Sequence, residues 1–274
     1  MKKMFVCFLT LLSSGAAFAL PVGNPSSANL VCDGLFFEGS CCKDPCCDPC
    51  GSWCDMFNFR VGFWGDYVYN RHLETDSHGA HGDIEDFEIF TNAGIFSVNI
   101  CDRVDLFTTL GATKMYLSSN VSTFGGPNGT QVKDELDTDF SWSVGMDGVI
   151  WECGCTSLGG EFQYFRTCPN VKSIYLGEEN GMYPGHNQAI DYNEWQLGLG
   201  VSHRINMLIP YAAIKWSHVC VDISGEGTVR KFHNKKHWGY AIGFSLVDCE
   251  KGFLTVEGRW ADEKAVHFTG QIRF

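Results

Sequence analysis

The last ten residues of the chain, AVHFTGQIRF (Ala265–Phe274), decide the fold class. Apolar or small side chains occupy every second position, namely Val266, Phe268, Gly270, Ile272 and Phe274. The positions between them carry His267, Thr269, Gln271 and Arg273. A period of two is that of a β-strand with a different environment on each side. In an outer-membrane barrel the apolar face meets lipid, the polar face meets the lumen and aromatic residues lie at the interfaces. This strand therefore favours a transmembrane barrel over a soluble β-sandwich.

Residues 1–19 are predicted to be a secretory signal peptide. Lys2 and Lys3 give the basic start, an apolar run follows, and Ala17-Phe18-Ala19 is a cleavage site of the small-x-small type. The mature chain would begin at Leu20. No later segment has 18 uninterrupted apolar residues, which excludes a transmembrane helix. The net charge of −12 without a basic stripe argues against a nucleic-acid partner.

Alternation like that of the last strand recurs along the chain and predicts about ten antiparallel strands between Phe57 and Phe274. Leu30 to Phe37, Val171 to Leu176 and Thr228 to His233 are candidates for additional strands. The connections alternate between long polar loops and tight turns, as extracellular loops and periplasmic turns do in outer-membrane barrels. The sheet is expected to close, because an open edge in hydrocarbon would leave unpaired backbone groups. A barrel closed by ten strands is narrow. The predicted organisation is a signal peptide (1–19), a Cys-rich periplasmic N-terminal segment (20–56) and a transmembrane β-barrel (57–274).

Charged side chains fall on the inward face of the predicted strands, and both signs are present. Two interpretations remain open: they line a water channel and set its solute preference, or they form a salt-bridged interior that does not conduct. The candidate pore-lining residues are Arg60, Asp66, Glu161, Glu194, Arg204, Lys215, Glu257, Arg259, His267 and Arg273.

Cysteine is abundant, with 14 residues in all, and the 13 left after loss of Cys7 with the signal peptide are an odd number. Export would place them in an oxidising compartment. Most map to the predicted periplasmic side, where they could cross-link neighbouring molecules or staple loops internally. The candidates for cross-linking are Cys41, Cys42, Cys46, Cys47, Cys50, Cys54, Cys101, Cys153, Cys155 and Cys249.

Other chemistry receives little support from the sequence. The spacing of Cys47, Cys50 and Cys54 would suit zinc, but the oxidising setting favours disulfides, so no metal and no cofactor are predicted. An outer-membrane enzyme would need acid–base groups at the rim. His78, His81 and Asp83 crowd into one polar loop, where solvation is the simpler interpretation. No catalytic residue is predicted.

Several stretches resemble the chlamydial major outer membrane porin family. They include LPVGNP (Leu20–Pro25), RINMLIPY (Arg204–Tyr211) and the C-terminal run from Thr255 to Phe274. Asp48-Pro49-Cys50, followed by Trp53-Cys54-Asp55, also matches the family pattern. The likeness covers nearly the whole mature chain.

This resemblance implies a multi-pass outer-membrane barrel, usually a homotrimer, that passes small solutes. It also implies disulfide cross-links to itself and to cysteine-rich envelope proteins. The terminal Phe274 resembles the assembly signal of outer-membrane proteins. The chain departs from the family in being shorter and in having extra cysteines, such as the doublets Cys41-Cys42 and Cys46-Cys47. The alternative function is a non-conducting structural or adhesive barrel.

Overall fold

A computed structural model describes residues 20–31, 57–75, 84–121, 130–176, 182–184, 188–225, 228–248 and 251–274. Its ten long strands are β1 (Phe57–Asn70), β3 (Ile84–Ile100), β4 (Val104–Val121), β6 (Asp139–Cys153), β7 (Thr156–Thr167), β10 (Ala189–His203), β11 (Leu208–Gly225), β13 (Trp238–Asp248), β14 (Gly252–Trp260) and β15 (Lys264–Arg273). Five short strands complete the sheet: β2 (Leu73–Thr75), β5 (Thr130–Leu136), β8 (Val171–Leu176), β9 (Met182–Pro184) and β12 (Thr228–Asn234).

The ten long strands form a closed antiparallel barrel. Each pairs with the next along the chain, and the last, β15, pairs with β1, with Arg60 opposite Arg273 and Val68 opposite Ala265. Closure leaves no edge among the long strands, as hydrocarbon requires. The predicted ten-stranded barrel is therefore confirmed. The short strands extend the sheet at the end with the long loops, and two of them, β8 and β12, lie at predicted additional positions. Of the third candidate, Leu30 to Phe37, only Leu30 and Val31 are described, and neither is in a strand.

The outer face of the barrel is apolar, as the alternation predicts. In β13, Trp238, Phe244 and Leu246 are 63, 39 and 45 % exposed, whereas the intervening Ala241 and Ser245 are buried inside. The same contrast holds in β15, where Phe268 is 40 % exposed beside the buried His267. A soluble sandwich would bury these aromatic side chains, so the observed arrangement requires lipid around the barrel.

The interior is packed rather than wet in the part of the chain that the structure describes. At the extracellular end, buried apolar side chains including Trp64, Phe87, Phe165 and Tyr192 form one cluster. Buried ion pairs occupy the middle of the barrel, around Arg71 and Arg259. Among the described residues, many inward charged side chains form ion pairs with one another, as in the salt-bridged interior that is one of the two interpretations.

The N-terminal segment Leu20–Val31 fills the rest of the lumen. It is nearly all buried and includes one short 3-10 turn, Ser27–Asn29. Residues 20–31 belong to the predicted N-terminal segment 20–56, and in the structure their backbone hydrogen-bonds with inward-facing side chains of the barrel. Residues 32–56, with the cysteine cluster, lie outside the described residues. No helix in the described segments has the length and apolarity needed to cross a membrane.

Candidate functional site

The barrel lumen gathers the predicted charged residues. Nine of the ten candidates are buried inside the barrel. Arg204 is the exception: it lies half-buried in the periplasmic turn between β10 and β11, beside a cavity of about 180 Å³ at the barrel mouth. Alternation predicts an inward position for all ten, and Arg204 differs from the nine because the strand ends at His203 before it.

The segment Leu20–Val31 is called here the N-terminal plug. Hydrogen bonds between its backbone and side chains of the barrel wall hold it in the upper lumen. The N–H groups of Val22 and Gly23 donate to the two carboxylate oxygens of Glu257, at 3.1 and 2.9 Å. Gln196 donates to the carbonyl of Pro21 at 3.0 Å. Such contacts satisfy a buried backbone that forms no strand of its own.

The periplasmic half of the plug is held in the same way. Arg60 donates to the carbonyl of Ser27 at 2.9 Å, and Asn99 donates to the carbonyl of Ala28 at 2.8 Å. Arg273 donates to the carbonyl of Val31. The predicted inward charges Arg60 and Arg273 thus bind peptide groups of the same chain.

Three glycines of β7 and β10 form the surface on which the plug packs. A Cβ added at Gly159 would lie 2.1 Å from the carbonyl oxygen of Pro25. One at Gly198 would lie 2.6 Å from Cγ1 of Val22, and one at Gly200 would lie 2.6 Å from Cγ of Pro25. Real Cβ atoms do not approach so closely, so any larger residue would push against the plug. The barrel wall is therefore shaped for this segment.

A network of ion pairs crosses the lumen at the level of Leu20. Arg71 binds both carboxylate oxygens of Glu194 at 2.8 Å and lies 3.4 Å from Glu263. Lys215 lies 3.3 Å from Glu263, and Arg259 lies 2.7 Å from both Glu263 and Asp66. Removing one partner of such a buried pair costs about 3–5 kcal/mol because the other charge is left uncompensated.

Sequence reasoning missed several members of this interior. Arg71 and Glu263 fall in extracellular turns, where charged residues are usually solvated. Asp105 pairs with Arg60 on a strand whose two faces are both largely apolar, and Asp147 accepts a hydrogen bond from Ser27. Alternation within β6 could have identified Asp147, because it shares a face with Ser141 and Ser143.

Little space remains in the upper lumen. The cavity bounded by Leu20, Trp64, Tyr192 and Glu194 measures about 10 Å³, which is at the lower limit for a single water molecule. In the described part of the chain, the plug and the side chains around it occupy this part of the lumen and leave little room for a hydrated solute while the plug is seated.

The described cysteines lie at both ends of the barrel. Cys101 is disulfide-bonded and lies with Asp102 in the three-residue turn between β3 and β4, where both have positive φ angles. Cys153 and Cys155 are exposed thiols on either side of Gly154 in the periplasmic turn between β6 and β7. The remaining predicted cross-linking candidates, Cys41 to Cys54 and Cys249, lie outside the described residues.

Asp102 and Glu135, both outside the membrane-spanning strands, have shifted pKa values. Burial raises the pKa of Asp102, although Arg273, at 3.2 Å, acts in the opposite direction. The hydrogen bond from Lys114 lowers the pKa of Glu135 on the extracellular strand β5. His78, His81 and Asp83 lie outside the described residues, and the described ones include no group of three His, Cys, Asp or Glu side chains placed to hold a metal.

Comparison with known proteins adds a second line of evidence. The family model described as Chlamydia major outer membrane protein matches residues 1–84, 77–132, 127–183 and 178–230. The chain is 32 % identical to the major outer membrane porin, serovar H, of Chlamydia trachomatis, over the full length of both. It is 33 % identical to the major outer membrane porin of Chlamydia pneumoniae, over 96 % of each. Among solved structures, the outer membrane protease OmpT of Escherichia coli matches 80 % of this chain and 94 % of that one, with 12 % identity and a TM-score of 0.39.

Proposed function

The chain belongs to the chlamydial major outer membrane protein family and is a multi-pass β-barrel of the outer membrane, and from that premise we propose that it is a porin whose N-terminal plug gates the lumen. Small solutes would diffuse passively through the barrel when residues 20–31 leave it. The observation that carries this proposal is the chemistry of the plug's seat. Charged side chains line the wall, and the plug is bound to them by hydrogen bonds that water can replace.

Exposure of the lining would give the channel its selectivity. With the plug withdrawn, Arg60, Glu161, Glu257 and Arg273 would face the aqueous lumen, and their mixed charges would filter solutes by charge and size. The likeness to proteins named porins supports this assignment. No catalytic residue, metal or cofactor forms part of the proposal.

Planar-bilayer recording tests gating by the plug. The full mature chain should give rare current steps, and a chain that starts at Cys32 should give frequent steps of equal or larger size. Both proteins must first show the same β-sheet circular dichroism and the same mobility shift on heating in detergent. A folded plug-free barrel that gives no discrete current would refute the proposed channel.

The second candidate function is a sealed structural or adhesive barrel. The filled upper lumen favours it, since the cavity beside Leu20 measures only about 10 Å³. The same recording separates the two functions, because a structural barrel would remain electrically silent without its plug. The homotrimer implied by the family resemblance is part of the porin proposal and is tested by the mass of the detergent complex in multi-angle light scattering.

We also propose that the protein is a disulfide-linked component of the cell envelope. Cys153 and Cys155 are the described thiols that support this, since both are exposed in a periplasmic turn. Partners would be a second copy of the chain or cysteine-rich envelope proteins, which an exposed thiol pair could reach without disturbing the barrel.

Non-reducing electrophoresis of envelopes tests the cross-linking. A variant with both Cys153→Ser and Cys155→Ser should lose high-mass species that the wild type shows and that reductant collapses. Cys168→Ser is the matched control, because Cys168 is an exposed thiol at the opposite end of the barrel. Unchanged high-mass species in the double variant would assign the cross-links to other cysteines.

A further inference from the structure

The deepest point of the plug is the backbone nitrogen of Leu20. It lies 3.3 Å from Oε1 of Glu194, and the residue is only 5 % exposed. Its side chain packs in the apolar cluster with Trp64 and Phe165, and its carbonyl accepts from Nζ of Lys215 at 3.3 Å. Leu20 is also the residue that follows the predicted cleavage site Ala17-Phe18-Ala19.

We propose that Glu194 is a binding site for the α-ammonium group of Leu20, and that this contact fixes the plug in the lumen. The proposal rests on the predicted cleavage after Ala19 and deepens the proposed gating. Hydrolysis of the Ala19–Leu20 peptide bond by a signal peptidase adds one water across it. A carboxylate remains on Ala19, and the amine on Leu20 takes up a proton.

The geometry around Glu194 fits a cationic donor at this place. Oε2 accepts from Arg71 at 2.8 Å and from the hydroxyl of Tyr192. Oε1 accepts from Arg71 at 2.8 Å and from the nitrogen of Leu20. A carboxylate has about four lone-pair sites, so Leu20 supplies the fourth donor.

In the described part of the chain, the lumen also holds more buried carboxylates than buried cationic side chains. Among the described residues, seven buried carboxylates face five buried cationic side chains. The carboxylates are Asp66, Asp105, Glu161, Glu194, Glu257, Asp262 and Glu263, and the cations are Arg60, Arg71, Lys215, Arg259 and Arg273. Buried charges need partners. An α-ammonium beside Glu194 reduces this excess, whereas the peptide N–H present before cleavage does not.

A cross-linking assay measures whether the plug is seated. The hydroxyls of Ser26 in the plug and Ser202 in β10 are 3.1 Å apart, so Ser26→Cys with Ser202→Cys should form a disulfide in the seated state. The mature chain is produced with Leu20 at its terminus and compared with the same chain after N-terminal transamination in the unfolded state. That reaction replaces the α-amine by a carbonyl and leaves lysines unchanged. Peptide mapping quantifies the new disulfide.

Transamination should slow this cross-link by about 10- to 150-fold, the factor that corresponds to losing one charged hydrogen bond. In a Glu194→Gln background the same treatment should have little further effect. Equal cross-linking with and without the α-amine would overturn the proposal, and so would an equal loss in both backgrounds.

A second measurement does not depend on the folding of Glu194→Gln. The α-amine of the refolded wild-type chain should resist acylation by an N-hydroxysuccinimide ester, compared with a chain extended by a Gly-Ser linker. Equal acylation rates would overturn the proposal. Absence of the cross-link in the untreated chain would instead contradict the seated plug and with it the proposed gating, so the two failures are distinguishable.

Discussion

Substitution of Gly198 by alanine should unseat the plug. The added Cβ would lie 2.6 Å from Cγ1 of Val22 and 3.2 Å from Oε2 of Glu161. Glu161 can move, but the side chain of Val22 is branched at Cβ and has little rotamer freedom. Overpacking of this kind costs about 1–3 kcal/mol, which lowers the ratio of seated to unseated plug by roughly 5- to 150-fold.

Single-channel recording measures this ratio as the open probability, which should rise by the same factor. Gly94→Ala is the matched control, since its Cβ would meet nothing nearer than 3.7 Å. Both variants must keep the heat-modifiable mobility of a folded barrel. The reasoning would be refuted if Gly198→Ala folded normally and conducted like Gly94→Ala and the wild type.

Four further predictions concern the barrel, its terminus and one thiol. Arg71→Met should lower the free energy of unfolding in detergent by about 3–5 kcal/mol, because it leaves buried carboxylates unpaired; a loss below 1 kcal/mol in urea titrations would contradict this. Leu199→Arg, on the lipid face, should lower the free energy of unfolding in lipid bilayers by about 2–4 kcal/mol, and Leu199→Phe should lower it much less. Equal losses in the two variants would contradict a lipid-facing position for Leu199. Deletion of Phe274, which is 38 % exposed, should reduce assembly of the barrel in cells and hardly change the stability of the refolded protein. Normal assembly of this variant would contradict a role of Phe274 as an assembly signal. Burial and Asp191 raise the pKa of the Cys168 thiol, so its alkylation by iodoacetamide should be slow at neutral pH and become faster as the pH rises. At pH 7 the alkylation should be faster in Asp191→Asn than in the wild type. An alkylation rate unaffected by that substitution would contradict the role assigned to Asp191.

The lipid environment explains why so much of the barrel is predictable from the sequence. Hydrocarbon requires an apolar side chain at every second position, so residues such as Phe63 and Trp238 mark the outward face locally. Closure follows from the same solvent, because an unpaired edge is costly there. The sequence therefore predicts the ten strands, their order and the inward position of nine of the ten charged residues without knowledge of any long-range contact.

Alternation of apolar and polar residues does not predict that the plug fills the lumen. The plug sequence, rich in Pro, Ser and Asn, has the composition of a surface loop, and contacts with residues 33 to 235 positions away place it inside. Gly159 and Gly198 become informative only once Val22 and Pro25 lie against them. Arg71 looks solvated for the same reason, because its partner Glu194 is 123 residues distant.

The most direct test of the account is to lock the plug to the wall and record the current. The Ser26→Cys, Ser202→Cys variant should form its disulfide in the folded barrel and conduct less than the wild type under oxidising conditions. Reductant should restore wild-type current steps, while the wild type itself should not respond. A folded barrel in which these two positions cannot be cross-linked, or whose current is the same before and after reduction, would contradict the claim that residues 20–31 close the lumen.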